Sequence, residues 1–259
     1  MTNNVQFVQF PKETLESNQY LPNYKMSDEI IIMALENNYR AMKYVPNYKM
    51  SNKIIKIGLE EDYRVLKFVP KEKITDEIIR IALEYDGRAL QFIPEEKKTD
   101  EIIIMAIKNN GFVFVRNEKK TDEIIRIALE YDNYALQFIP NEKKTDEIIK
   151  IALQKNIYAL QFVPEEKMSD EIIKMAIEKN YGVLDLIYYD KITDDVIKFA
   201  IKNNYRALRF VPEDKITDEI IKFAIKNNYR ALRFVPKDKI TDEIIKFALS
   251  INVLALEFV

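Results

Sequence analysis

The sequence predicts an all-α fold, a right-handed α-solenoid of about ten stacked two-helix repeats. Three observations predict it: a fixed period, a capping residue at the start of each period, and an apolar arc too wide for a surface helix. The period shows in "NNYRALRFVPEDKITDEIIKFAIKNNYRALRFVP", Asn203 to Pro236, where "NNYRALRFVP" occurs twice, 24 residues apart. A Ser or Thr followed by an acid-rich, isoleucine-rich run stands at Ser27, Ser51, Thr75, Thr99, Thr121, Thr145, Ser169, Thr193, Thr217 and Thr241. The interval is 24 residues, except 22 between Thr99 and Thr121. These residues open ten repeats over 27–259, expected to form one continuous solenoid. Residues 1–26 hold a degenerate leading unit, since Pro22 lies 24 before Pro46. A period of this length marks units that bury their apolar faces only against one another.

Repeat three, "TDEIIRIALEYDGRALQFIPEEKK" from Thr75 to Lys98, shows each element in turn. Thr75 is an N-cap whose oxygen accepts a free backbone N–H of the first turn. Asp76 and Glu77 follow, where carboxylates favour the positive end of the helix dipole. Ile78, Ile79, Ile81, Ala82 and Leu83 span roughly 200° of the helix circumference, as an interior member of a stack needs. Glu77, Arg80 and Glu84 share the remaining face as a solvated charge stripe. Asp86 ends this helix of about eleven residues; Asn or Asp occupies the same place in every repeat, a residue that tolerates the left-handed conformation and caps the next helix. A second helix of about seven residues turns Ala89, Leu90, Phe92 and Ile93 inward. Pro94 then stops it and holds Ile93 out of the helical region, and a loop leads to the next cap. Repeats eight and nine differ only at Asp195/Glu219, Val196/Ile220 and Glu213/Lys237, so whole units have been duplicated.

An acidic cap followed by "DEIIKFAIKNN" and then "YRALRFVP" resembles the short helical-pair repeats of a bacterial and giant-virus family known only as a domain of unknown function. The resemblance covers about residues 14–259. It implies an all-helical repeat fold and no established activity.

Composition excludes several kinds of chemistry. With no histidine and no cysteine, the usual proton shuttle, thiolate nucleophile and commonest metal ligands are missing. Ten of the fourteen Ser and Thr residues are repeat caps, and none of the rest has a histidine to activate it. The four glycines, at 58, 87, 111 and 182, form no phosphate loop. No enzyme activity and no cofactor or metal are expected. A formal charge of −2 argues against a dedicated polyanion binder. No apolar run approaches a membrane span, and "MTNNVQFVQFPKE" is not a signal peptide. The expected location is the cytoplasm of a bacterium or of an infected host cell.

The expected function is therefore recognition, with another protein as partner. Caps, isoleucines and turn Asn/Asp hardly change between repeats, whereas exposed positions of the second helix do. One position holds Arg40, Arg64, Arg88, Phe112, Tyr134, Tyr158, Gly182, Arg206, Arg230 and Leu254. Repeat four lacks two residues and its proline, and carries Ile104, Phe112, Phe114 and Arg116. Repeat seven has Tyr188 in place of proline, followed by Tyr189. Aromatics and arginine are common interface anchors. Ile104, Phe112, Phe114, Tyr134 and Tyr158 are expected to gather in an apolar pocket, and a partner to engage residues from about 100 to 190.

The alternative partner is a nucleic acid, stacked on the Tyr-Arg pairs that contain Arg40, Arg64, Arg206 and Arg230. The lysines two residues before the caps are expected to pair with acids of neighbouring helix starts rather than form a phosphate row. Ile251, Val253 and Leu254 replace the usual Asn, Tyr and Arg, which predicts either self-association, such as a homodimer, through the C-terminal end or a missing partner there.

Overall fold

The computed structural model describes residues 26–259, all of whose regular elements are helical. The degenerate leading unit lies, apart from its last residue, outside the described residues. The chain divides into two compact units between Thr99 and Asp100. The first holds α1 (Asp28–Asn37), α2 (Asn52–Glu61) and α3 (Asp76–Tyr85). The second holds α4 (Asp100–Lys108), α5 (Asp122–Tyr131), α6 (Asp146–Lys155), α7 (Asp170–Lys179), α8 (Asp194–Asn203), α9 (Asp218–Asn227) and α10 (Asp242–Ile251). Within each unit every α-helix packs on the next, and so do the second helices of successive repeats. The fold is a helical repeat solenoid.

Capping begins α1 to α3 and α5 to α10 as the sequence predicts. Ser27, Ser51, Thr75, Thr121, Thr145, Ser169, Thr193, Thr217 and Thr241 each accept the N–H three residues on, at 3.3–3.4 Å. The second helix differs from expectation. It is a 3-10 helix, six residues long in most repeats, as in Tyr205–Phe210, and a further 3-10 turn of three residues comes after the proline. Six residues at a 3-10 rise of about 2.0 Å cover roughly 12 Å, against roughly 15 Å for ten α-helical residues. The tighter winding lets a short segment line most of its longer partner.

The turn residue is not left-handed. Asn38, Asp62, Asp86, Asp132, Asn156, Asn180, Asn204, Asn228 and Asn252 are extended, with φ between −130° and −163°. Each does two jobs. Its N–H closes the α-helix on a carbonyl four residues back. Its side-chain oxygen accepts the N–H two residues on, at 2.8–3.0 Å, and so opens the 3-10 helix, except in repeat five, where a turn at Asn133 and Tyr134 comes first. An N-cap needs extended backbone, and that requirement wins. Asn110 is the exception at φ 69°. There Gly111 N–H bonds the Ala106 carbonyl at 2.8 Å and Asn110 N–H bonds that of Ile107 at 3.2 Å, a Schellman ending. The next 3-10 helix, Phe112–Phe114, keeps only three residues, and this shortening absorbs the two-residue deletion.

Two apolar faces account for the wide arc. In repeat eight Val196, Ile197, Ala200, Ile201, Ala207 and Leu208 are all buried. In repeat ten the positions matching Val196, Ala200 and Ala207 stay buried, while Leu256, which matches Leu208, is 58% exposed. In repeat one the pattern reverses: Ile30 is 47% exposed and Ile31 and Leu35 are buried. The first set therefore packs on the preceding repeat and the second on the following one. Gly58 stands where alanine is usual; with the backbone as it is here, a Cβ at Gly58 would come within 2.8 Å of the Val65 side chain.

Charged rungs also join repeats. Arg126 pairs with Glu147 at 2.8 Å, and Lys56–Glu77, Lys150–Glu171, Lys198–Glu219 and Lys222–Glu243 repeat the contact. The helix-start glutamates thus reach the preceding repeat, and the lysine hydrogen bond holds Glu77, Glu219 and Glu243 below the usual carboxylate range. Solvent and salt screen exposed pairs of this kind, so they align neighbouring repeats more than they stabilise them.

A candidate partner-binding surface

The lysine before each cap meets the acid-pairing expectation in Lys49–Asp28 (3.2 Å) and Lys97–Asp76 (3.5 Å). Others differ. Lys73 donates to the Met50 carbonyl, Lys143 to those of Asn117 and Lys120, Lys215 to those of Tyr189 and Ile192, and Lys239 to those of Glu213 and Ile216. A loop carbonyl presented by the preceding repeat lies nearer these amines than a carboxylate does. They tie loop to loop.

The residues of repeat four separate. Phe112 is 2% exposed and belongs to the core, so it presents no contact surface, and the expected pocket loses one wall. With the 3-10 helix halved, Phe112 rather than Phe114 reaches the interior. Phe114 and Ile104 are half-buried, and Arg116 is exposed where proline usually stands.

Tyr134 and Tyr158 occupy the same position in repeats five and six, Tyr134 just before the 3-10 helix Ala135–Phe138 and Tyr158 in the first turn of Ile157–Phe162; the two helices pack side by side, and the tyrosines are 48% and 52% exposed. Their N–H groups are held by Asp132 and Asn156, so the backbone beneath each ring is fixed. Tyr131, also exposed, stands three residues before Tyr134; the sequence signal was a tyrosine at that spacing in an otherwise polar stretch. Tyr188 and Tyr189 lie at the loop edge instead. The Tyr188 hydroxyl donates to the Val163 carbonyl at 3.4 Å. Tyr189 hydrogen-bonds Asp214, and Lys215 Nζ sits 3.9 Å above its ring. A groove of about 330 Å³ opens between repeats seven and eight, lined by Leu184, Asp185, Ile187, Tyr189, Arg209 and Phe210, among others. Ile251, Val253 and Leu254 are exposed.

The loops that lead into repeats five and six hold two buried lysines at a position that is Met or Ile in most other repeats. Lys120 donates to the Phe138 carbonyl at 2.6 Å and to Asn117 Oδ1 at 3.0 Å, and Lys144 donates to the Phe162 carbonyl at 2.7 Å. Burial pushes both amines below the ordinary lysine value; Lys143 adds to this at Lys120, while Glu166 opposes it at Lys144. With a depressed folded pKa, the folded state binds fewer protons than the unfolded chain between the two pKa values. Stability therefore rises with pH across that window, and the penalty is full below it. Lys120→Met/Lys144→Met is expected to raise the melting temperature near neutral pH. Its advantage should shrink as pH approaches 10.5, the ordinary lysine value. An advantage constant across that range would contradict the assignment.

The Tyr-Arg pairs are engaged internally. Arg64 lies 4.6 Å above Tyr39 and donates to both oxygens of Asp62. Arg88 lies 5.0 Å above Tyr63 and bonds Asp86 in the same way. The Arg64 hydrogen bonds hold Asp62 below the usual carboxylate range. Arg40, Arg206 and Arg230 each lie over the tyrosine before them, at 5.7–5.9 Å. Among the described residues no group of three or more Asp or Glu is placed to hold a metal ion, and no helix is long and apolar enough to cross a membrane.

A family model described as a domain of unknown function (DUF4116) matches residues 75–116, 121–168 and 194–238. The chain belongs to this family. Each DUF4116 match takes in two consecutive repeats, so the family unit is a pair of the periods seen here. Repeat seven, with Tyr188 in place of proline, falls between two matches. No curated protein and no solved structure matches the chain.

Proposed function

We propose that the protein is a non-enzymatic repeat scaffold, adaptor or inhibitor that acts by occupying the surface of another protein. The contact region is the central repeats, about residues 100–190. The observation that carries this reading is the exposed pair Tyr134 and Tyr158 at the starts of the second helices of adjacent repeats, where repeats one to three and eight to nine place arginine. Side chains that join the repeats are uniform and committed to caps, rungs and core, whereas this position is free to change. Exposed tyrosines on a fixed backbone are suited to anchoring a protein interface, because their rings bury large area at small entropic cost.

The nucleic-acid reading loses support where the first unit's tyrosine faces are covered by Arg64 and Arg88, since base stacking needs an open ring. Affinity capture from the cells that make the protein, with and without nuclease, tests the class of partner. A protein retained after nuclease treatment is expected. Capture that disappears with nuclease would contradict the reading.

A further inference from the structure

We propose that the second helices of repeats eight and nine form a separate docking surface for an acidic protein segment, independent of the central tyrosines. Arg206 and Arg209 stand three residues apart in the 3-10 helix Tyr205–Phe210, and Arg230 and Arg233 in Tyr229–Phe234. Side chains at that spacing eclipse one another in a 3-10 helix. The two helices pack side by side, so four exposed guanidiniums form a two-by-two block. Exposed Lys202 and Lys226 stand in the last turns of the first helices of the same repeats.

The block carries no ion pair among the described residues. In the first unit, Arg64 and Arg88 hold the position of Arg206 and Arg230 and are neutralised by Asp62 and Asp86. In repeats eight and nine the capping residues are Asn204 and Asn228, which carry no charge. Among the described residues none of the four guanidiniums has an ion-pair partner. Each lies over a neighbouring ring instead: Arg206 on Tyr205, Arg209 on Phe210, Arg230 on Tyr229 and Arg233 on Phe234, at 5.5–6.0 Å. That contact favours an ordered guanidinium and leaves its N–H donors for a ligand.

One observation disfavours a nucleic acid, and a second limits the anionic partner to a short segment. The rings behind the block are occupied: Tyr205 meets Phe234 and Tyr229 meets Phe258, both at 6.2 Å between centroids, besides carrying their own arginines. A base finds no free face there. The cationic track is also only two repeats long, because Asp185 and Glu257 hold the position of Arg209 and Arg233 in repeats seven and ten. A polyphosphate backbone running along the stack would meet like charge at both ends. A short segment with a few carboxylates fits between them, each carboxylate matching the guanidinium fork.

Fluorescence anisotropy with a labelled oligoglutamate and a labelled oligothymidylate of equal charge tests the proposal on the full chain. Saturable binding of oligoglutamate, tighter than of oligothymidylate, is expected. Arg206→Glu/Arg230→Glu and Arg209→Glu/Arg233→Glu should each weaken it by at least about tenfold, since reversal replaces charge-assisted contacts with repulsion. Melting temperatures should be unchanged, and if one pair disturbs folding the other decides. Tyr134→Ala/Tyr158→Ala should leave oligoglutamate binding unaltered, which separates this surface from the central one. Oligothymidylate binding as tight as oligoglutamate, no saturable oligoglutamate binding, or indifference to charge reversal would each overturn the proposal.

Discussion

Tyr134→Ala/Tyr158→Ala is expected to weaken binding of the protein partner by roughly thirtyfold or more, at about 1 kcal/mol or more for each ring. Stability should stay within about 0.5 kcal/mol, because both rings are largely exposed and substitutions at such sites rarely cost more. The backbone under each ring is held by Asp132 and Asn156 rather than by the ring itself. Far-ultraviolet circular dichroism and a melting curve serve as the check on folding. Arg206→Ala/Arg230→Ala, at the same repeat position, should leave that binding within about twofold, as expected of residues outside the interface centre. If the tyrosine pair binds normally and the arginine pair does not, the central surface is not the contact site.

The largest effect on stability is expected at Leu208. It is fully buried, whereas Leu256, the same position in repeat ten, is 58% exposed. Leu208→Ala should cost about 3 kcal/mol or more, from lost burial and the cavity left behind. Leu256→Ala should cost less than about 1 kcal/mol, since little apolar surface leaves the core there. Urea denaturation of both variants makes the comparison. The same residue at the same repeat position would then differ chiefly through what packs on it, as a stack of two-faced helices requires. Equal losses would contradict the assignment of faces.

Much of this scaffold was legible in the residues. Thr75 and its equivalents announce helix starts through local hydrogen-bonding chemistry, and the Ile-Ile-x-x-Ala-Leu run announces a buried arc through periodicity alone. The 3-10 winding was not legible, because apolar residues spaced three to four apart serve either helix type over six positions. Asn204 and its equivalents suit both a left-handed C-cap and an extended N-cap; which role wins depends on the helix they open. Lys215 could have found a carboxylate or a carbonyl, and only the position of the preceding loop decides. Phe112 and Phe114 exchange burial because two missing residues rephase the short helix, a change of register invisible in composition. The site was half legible: Tyr134 and Tyr158 stood out against the arginines of other repeats, whereas the free state of Arg206 and Arg230 rests on an Asp-to-Asn change at the cap, whose meaning depends on the ion pairs seen in the first unit.

The central claim, that repeats five and six contact a protein partner, is tested most directly by site-specific photo-crosslinking. A benzophenone side chain replaces Tyr158 in one version of the chain and Tyr48, an exposed tyrosine of the first unit, in another. Irradiation in the cells that make the protein should join the Tyr158 version to a discrete protein and leave the Tyr48 version uncrosslinked. A discrete adduct from Tyr48 with none from Tyr158, or an adduct from Tyr158 that is removed by nuclease, would contradict the account.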